Sequence, residues 1–238
     1  MKKLLLATVA LVALTATASA DMALRLQEGA LVQDFFAPGQ TSFSGPANFA
    51  FGDFSISNIT GSIFPSTTAP VLLSANTLDL QSTATGAHTL DIFVTGSGFT
   101  SPTGFVNTFS GFTNVSLSSG WTANLSTLLD TANGNFTGSL LDNVSFSGDG
   151  ITTFASNLTA LADFGGGPYS LTAHFQILTD GVGQANSGIQ LAASAVPVPA
   201  VGTGLPGVIA GFGAIYAWGK KRARKKAGGR LYRLAAAA

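Results

Sequence analysis

The pattern that most limits the fold is a two-residue alternation in Tyr169-Ser170-Leu171-Thr172-Ala173-His174-Phe175-Gln176-Ile177. Every odd position is apolar or small and every even one is polar. A strand sends successive side chains to opposite faces, so this segment reads as a half-buried β-strand. Leu90, Ile92 and Val94 repeat the pattern, as do Leu78 and Leu80. Between residues 21 and 195 lysine is absent and glutamate occurs once, at Glu28, so residues suited to an exposed helix face are missing. The same stretch holds 17 of the 18 phenylalanines, which separates it from aromatic-poor disordered chains.

Further runs fit the same reading. Trp121, Ala123 and Leu125 open one strand, and Val144 with Phe146 marks another. Phe49 and Phe51 share one parity while Phe54 and Ile56 take the other, which predicts a β-bulge near Gly52-Asp53. Asn133-Gly134, between Leu125–Leu129 and Phe136–Leu141, predicts a hairpin tip. Gly96-Ser97-Gly98, Ser147-Gly148-Asp149-Gly150 and Gly165-Gly166-Gly167-Pro168 are expected as loops. Roughly nine or ten short strands follow, and so does an all-β fold: an antiparallel β-sandwich of jelly-roll or immunoglobulin-like type. A β-solenoid is the alternative, but no fixed sequence period supports it.

Both ends carry different signals. Met1-Lys2-Lys3, an apolar core from Leu4 to Leu14 and Ala18-Ser19-Ala20 before Asp21 make residues 1–20 a secretory signal peptide, with Ala18 and Ala20 at the cleavage positions. Its core is too short to span about 30 Å of hydrocarbon. Residues 21–195 remain as one exported domain. After it come Val196, Pro197, Val198 and Pro199, an exposed, extended linker open to a processing enzyme. Residues 200–219 carry no charge and, at a helix rise of 1.5 Å each, reach about 30 Å, which predicts one C-terminal transmembrane helix. Tyr216 and Trp218 suit its interfacial end. Lys220, Lys221, Arg222, Arg224, Lys225 and Lys226 form a membrane stop that holds residues 220–238 in the cytoplasm and leaves the domain outside.

The formal net charge of zero hides a division. Residues 21–195 hold all 11 acidic residues and one basic residue, Arg25, for a net charge of −10. A domain with a single positive charge cannot neutralise phosphates, which excludes nucleic acid as a partner. The absence of cysteine excludes disulfides, thiol catalysis and thiolate-bound zinc or iron–sulfur groups.

Chemistry-bearing residues are sparse. His88 and Asp91 are three apart on one expected strand and face opposite sides, so they cannot pair from it. His174 lies on the polar face of its strand, and both histidines read as surface residues. No Gly-x-Ser-x-Gly elbow accompanies them. Asp142, Asp149, Asp163 and Asp180 fall mostly in expected turns, where aspartate makes local backbone bonds. Residues 130–135 and 142–149 are the places for a calcium loop, but neither has EF-hand spacing. Six Asn-x-Ser/Thr sequons occur, at Asn58, Asn114, Asn124, Asn135, Asn143 and Asn157. Trp121 and Tyr169, if exposed, would offer rings to a sugar. No catalytic, cofactor-binding or metal residue is assigned, and the chain reads as a non-enzyme.

A signal peptide, a Ser/Thr-rich β domain, the Val196-Pro197-Val198-Pro199 motif, a glycine-containing apolar segment and a terminal Lys/Arg cluster together resemble PEP-CTERM proteins, the exosortase-sorted class of Gram-negative bacteria. Val198 stands where that motif carries glutamate, and residues 227–238 extend past the basic cluster. The resemblance implies export through the translocon, removal of the leader by signal peptidase, a membrane-bound intermediate and processing by an exosortase-like enzyme. It also implies delivery to the cell surface or matrix alongside exopolysaccharide. A carbohydrate-binding or adhesive module on a plain membrane anchor is the other reading.

Overall fold

The computed structural model describes residues 20–64, 71–148 and 154–195. Most of the expected leader, the Val196–Pro199 motif, the apolar segment and the basic cluster lie outside the described residues. The chain divides into two units, Met1–Val196 and Pro197–Ala238, and all described residues belong to the first.

Thirteen strands follow one another: β1 Asp21–Glu28, β2 Leu31–Ala37, β3 Ser42–Ser44, β4 Phe49–Phe51, β5 Phe54–Ile63, β6 Val71–Ser82, β7 Ala87–Phe99, β8 Phe105–Leu117, β9 Thr122–Asp130, β10 Ser139–Ser147, β11 Phe154–Asp163, β12 Tyr169–Asp180 and β13 Gly183–Ala195. Among the described residues there is no helix, hence none long and apolar enough to cross a membrane. Sheet A has the order β10-β9-β12-β7-β1-β2 and sheet B the order β11-β8-β13-β6-β5-β3, with β4 paired to β5. Every pairing is antiparallel. The inner faces of the two sheets share one core, so the expected all-β sandwich is what forms.

The alternation sets the register. Leu26, Ile92, Phe175 and Leu125 stand directly opposite one another on β1, β7, β12 and β9. All four are fully buried. Ile56, Leu73, Leu80, Phe112, Ile189 and Leu191 meet them from sheet B. Burying each such side chain contributes about 1.5–3 kcal/mol, so a one-residue slip, which would turn every one outward, is strongly disfavoured.

Several expectations change. No bulge forms at Gly52-Asp53: these residues are the two-residue turn of the β4–β5 hairpin, with Phe51 opposite Phe54 and Phe49 opposite Ile56. Gly52 leads that turn at φ +57°, a conformation open to glycine. Gly96-Ser97-Gly98 is not a loop but part of β7. A Cβ on Gly96 would lie 2.3 Å from Ile63 Cγ2, so the glycine serves sheet-to-sheet packing. Asn133-Gly134 does sit in the β9–β10 hairpin, but the connection spans residues 131–138, and Phe136 belongs to it rather than to a strand. Trp121 and Tyr169 are core residues, 1% and 0% exposed, so neither ring is available to a ligand. Burial also pushes the Tyr169 phenol pKa up.

Candidate functional site

One register step from the core row lies its outward counterpart. Arg25 on β1 stands opposite Phe93 on β7, which stands opposite His174 on β12, which stands opposite Ser126 on β9. Asp34 on β2 completes the row beside Arg25. The register that builds the core therefore aligns five outward side chains across the outer face of sheet A.

These side chains are joined. His174 Nε2 lies 2.8 Å from Asp91 Oδ1, and Ser126 Oγ lies 3.4 Å from His174 Nδ1. Gln176 donates to Asp91 at 3.1 Å, and Asn124 donates to Gln176 Oε1 at 3.1 Å. The tautomer that satisfies both ring contacts has Nε2–H donating to Asp91 and Nδ1 accepting from the Ser126 hydroxyl. The Phe93 ring stacks on His174 at 4.1 Å with 4° between planes. Arg25 makes a two-pronged contact with Asp34, both bonds 2.8 Å. That contact raises the Arg25 pKa and holds the Asp34 carboxyl below its ordinary range.

The connection between β9 and β10 folds onto this face. Phe136 N donates to Thr95 Oγ1, Gly98 N donates to Asn133 Oδ1, and Ser170 Oγ donates to Gly134 O. Phe136 is buried there, with the Arg25 guanidinium 4.5 Å from its ring centroid and Phe36 and Phe93 at its sides. Asp130 anchors the connection, accepting from Ala132 N and Thr137 Oγ1. The Thr137 bond is the larger cause of a carboxyl pKa held below its usual value. Inserted rings and hydroxyls explain why Thr95, Thr172 and Ser170 are buried although they point away from the core.

Ser126, His174 and Asp91 repeat the residue types of a nucleophile, base and orienting acid. The setting differs from a hydrolytic one. Ser126 is mid-strand in β9 and pairs with Asn143 on one side and His174 on the other. Its flanking amides belong to ladders and are not aimed at a developing oxyanion. What this face offers is an ordered set of hydrogen-bonding groups on a rigid sheet.

The other sequence-derived sites disperse. His88 and Asp91 do not pair; each histidine finds its acid across strands. Asp130 is occupied as described, and Asp142 is buried, accepting from Ser110 Oγ at 2.6 Å, so the two expected calcium segments spend those carboxylates internally. Asp149 lies outside the described residues. Asp163 and Asp180 end β11 and β12, and Asp163 lines one cleft with Asp130. Asn114 is fully buried, which closes that sequon to modification in the folded domain. Glu28, Asp53 and His88 come together instead: His88 Nδ1 is 2.9 Å from Asp53 Oδ2 and 3.4 Å from Glu28 Oε1. A cleft of about 580 Å³ opens between the edge strands β10 and β11, lined by Leu129, Leu140, Ala160 and Leu161 among others.

No family model matches the chain, and no curated protein sequence matches it. Among solved structures the chain is similar to TmCBM61 in complex with β-1,4-galactotriose, at 10% identity over 73% of this chain and 88% of that one, with a TM-score of 0.30. It is also similar to arabinose-bound MgGH51 α-L-arabinofuranosidase, at 15% identity over 66% of this chain and 23% of that one, TM-score 0.33. A third likeness is to the structure of infectious bursal disease virus Gx strain, at 9% identity over 75% and 57%, TM-score 0.30. At these scores the likeness extends to neither ligand nor activity.

Proposed function

We propose that the chain is an exported cell-surface or extracellular-matrix protein. Its leader carries the sandwich out, an exosortase-type enzyme sorts and processes its C-terminus, and it acts alongside exopolysaccharide rather than as an enzyme. The observation that carries this reading is the fit between the strands and the sequence signals. β1 opens at Asp21, directly after Ala18-Ser19-Ala20, and β13 runs as far as Ala195, the last described residue. Cleavage at both places would keep all thirteen strands. Ala20 packs on the core, so losing it forfeits only a methyl group's burial, about 0.8 kcal/mol. β13 is a central strand between β8 and β6, so cleavage upstream of Ala195 would cut into sheet B.

Pulse-chase labelling in the organism that carries the gene tests this. A tail lost only when the exosortase gene is present supports the reading. A tail that persists with or without that gene sinks it.

The outer face of sheet A favours a second reading, a polysaccharide-binding module. Asp91, Gln176, Asn124, His174 and Ser126 are held in one network, and the exposed Phe36 ring lies at its margin beside Phe136. Ordered amides and carboxylates next to an aromatic edge suit a hydroxyl-rich ligand. Affinity electrophoresis of the full chain through gels containing acidic or neutral polysaccharides would show retardation, relieved in Asn124→Ala and Gln176→Ala. Unchanged mobility in every gel removes this reading.

A further inference from the structure

We propose that Glu28, Asp53 and His88 form a site for a divalent transition-metal ion, of the Zn²⁺ or Mn²⁺ class, that ties the two sheets together at one end of the sandwich. The three residues come from separate elements: Glu28 ends β1, Asp53 sits in the β4–β5 turn and His88 is the second residue of β7. One ligand atom from each lies within 4.8 Å of the other two. Donors around one ion at about 2.0–2.3 Å from each can span such a triangle after small side-chain shifts. One imidazole nitrogen with carboxylate oxygens is a mixed donor set suited to first-row divalent ions.

Two features show that the cluster is held in place. Asp53 N donates to Glu28 Oε2 at 2.9 Å, leaving Oε1 directed at His88. A Cβ at Gly52 would fall 1.5 Å from that same Oε2, so only glycine leaves the slot the carboxylate fills. Glu28 is the single glutamate of the chain. Charge adds an independent reason. The domain from 21 to 195 has no lysine, and its one arginine is taken by Asp34. No Lys or Arg side chain of that domain therefore answers Glu28 and Asp53, and His88 is their partner. An ion held by all three would neutralise the two acids.

Glu28 and His88 belong to sheet A and Asp53 to the sheet B hairpin, so the ion would bridge the sheets in a chain that has no cysteine. Asp53 is 48% exposed, which leaves room for water to complete the coordination.

The chain has two histidines, which supplies a control within one molecule. Zinc is titrated into the full chain in detergent, labelled with ¹⁵N-histidine. The expected result is movement of the His88 Nδ1 resonance with His174 unmoved, together with a higher Tm. Glu28→Gln and Asp53→Asn should each weaken zinc binding at least about ten-fold, while the His174 resonance, set by Phe93 and Asp91, reports that the fold is kept. Equal response of both histidines, response of His174 alone, no response, or unchanged zinc affinity in both variants overturns the proposal.

Discussion

The two outer faces of the sandwich are built by the same alternation yet differ sharply. On sheet A the outward side chains include Arg25, Asp34, Asp91 and His174, joined in pairs and networks, and the β9–β10 connection lies across them. On sheet B the outward residues of β8, β13 and β6 are uncharged apart from the exposed Asp79 on β6; among them are Asn76, Thr113 and Gln190, with exposed Phe105 and Phe109 toward the β11 edge. A strand's period decides inside from outside. It does not decide what an outward row becomes. That depends on which strands are neighbours and which loop returns to cover them. Sheet A's face is ordered like a site, whereas sheet B's face is a solvated wall with a few single apolar residues.

The largest test of this contrast compares two phenylalanines. Phe136→Ala removes the ring buried on sheet A and should cost about 3 kcal/mol. Phe109→Ala on sheet B, already 46% exposed, should stay within about 0.5 kcal/mol. Urea unfolding measures both, and equal losses would dissolve the distinction. Asp91→Ala comes next. It strips His174 and Gln176 of their shared acceptor and should cost about 1–2 kcal/mol, against about 0.5 kcal/mol or less for the exposed Gln190→Ala.

The smallest effect is the pH dependence of Asp34. Its folded pKa is depressed by Arg25, so the unfolded chain binds more protons between the two pKa values. The contribution is therefore complete above the unfolded value near 4 and is lost as pH falls through the folded value. Both partners are about a third exposed, which limits it to roughly 0.5 kcal/mol. Asp34→Asn should remove that part of the acid-side slope in stability measured from pH 5 downward, and an unchanged slope would show the pair to be inert.

Local pattern made β12 and β7 legible, because Tyr169–Ile177 and Leu90–Val94 alternate strictly. Gly52-Asp53 was ambiguous for a physical reason: a one-residue bulge and a two-residue hairpin turn both invert parity, and sequence period cannot tell a bent strand from a reversed one. Gly96-Ser97-Gly98 reads as a turn by composition, yet Gly96 answers to Ile63, which is far off in sequence. The site was less legible still. His174 and Asp91 are 83 residues apart and meet only because β12 pairs with β7. Their one sequence signal is that each occupies a polar position in an alternating strand. Glu28, Asp53 and His88 gather from a strand end, a turn and a strand start, and no spacing announces such a group.

The most direct measurement of export and sorting is the intact mass of the protein recovered from the cell surface or medium of its own organism. An N-terminus at Asp21 and a C-terminus at or close to the Val196–Pro199 motif are expected, with every strand from β1 to β13 retained. Recovery of the entire 24.1 kDa chain, leader and basic tail included, would contradict export and sorting together.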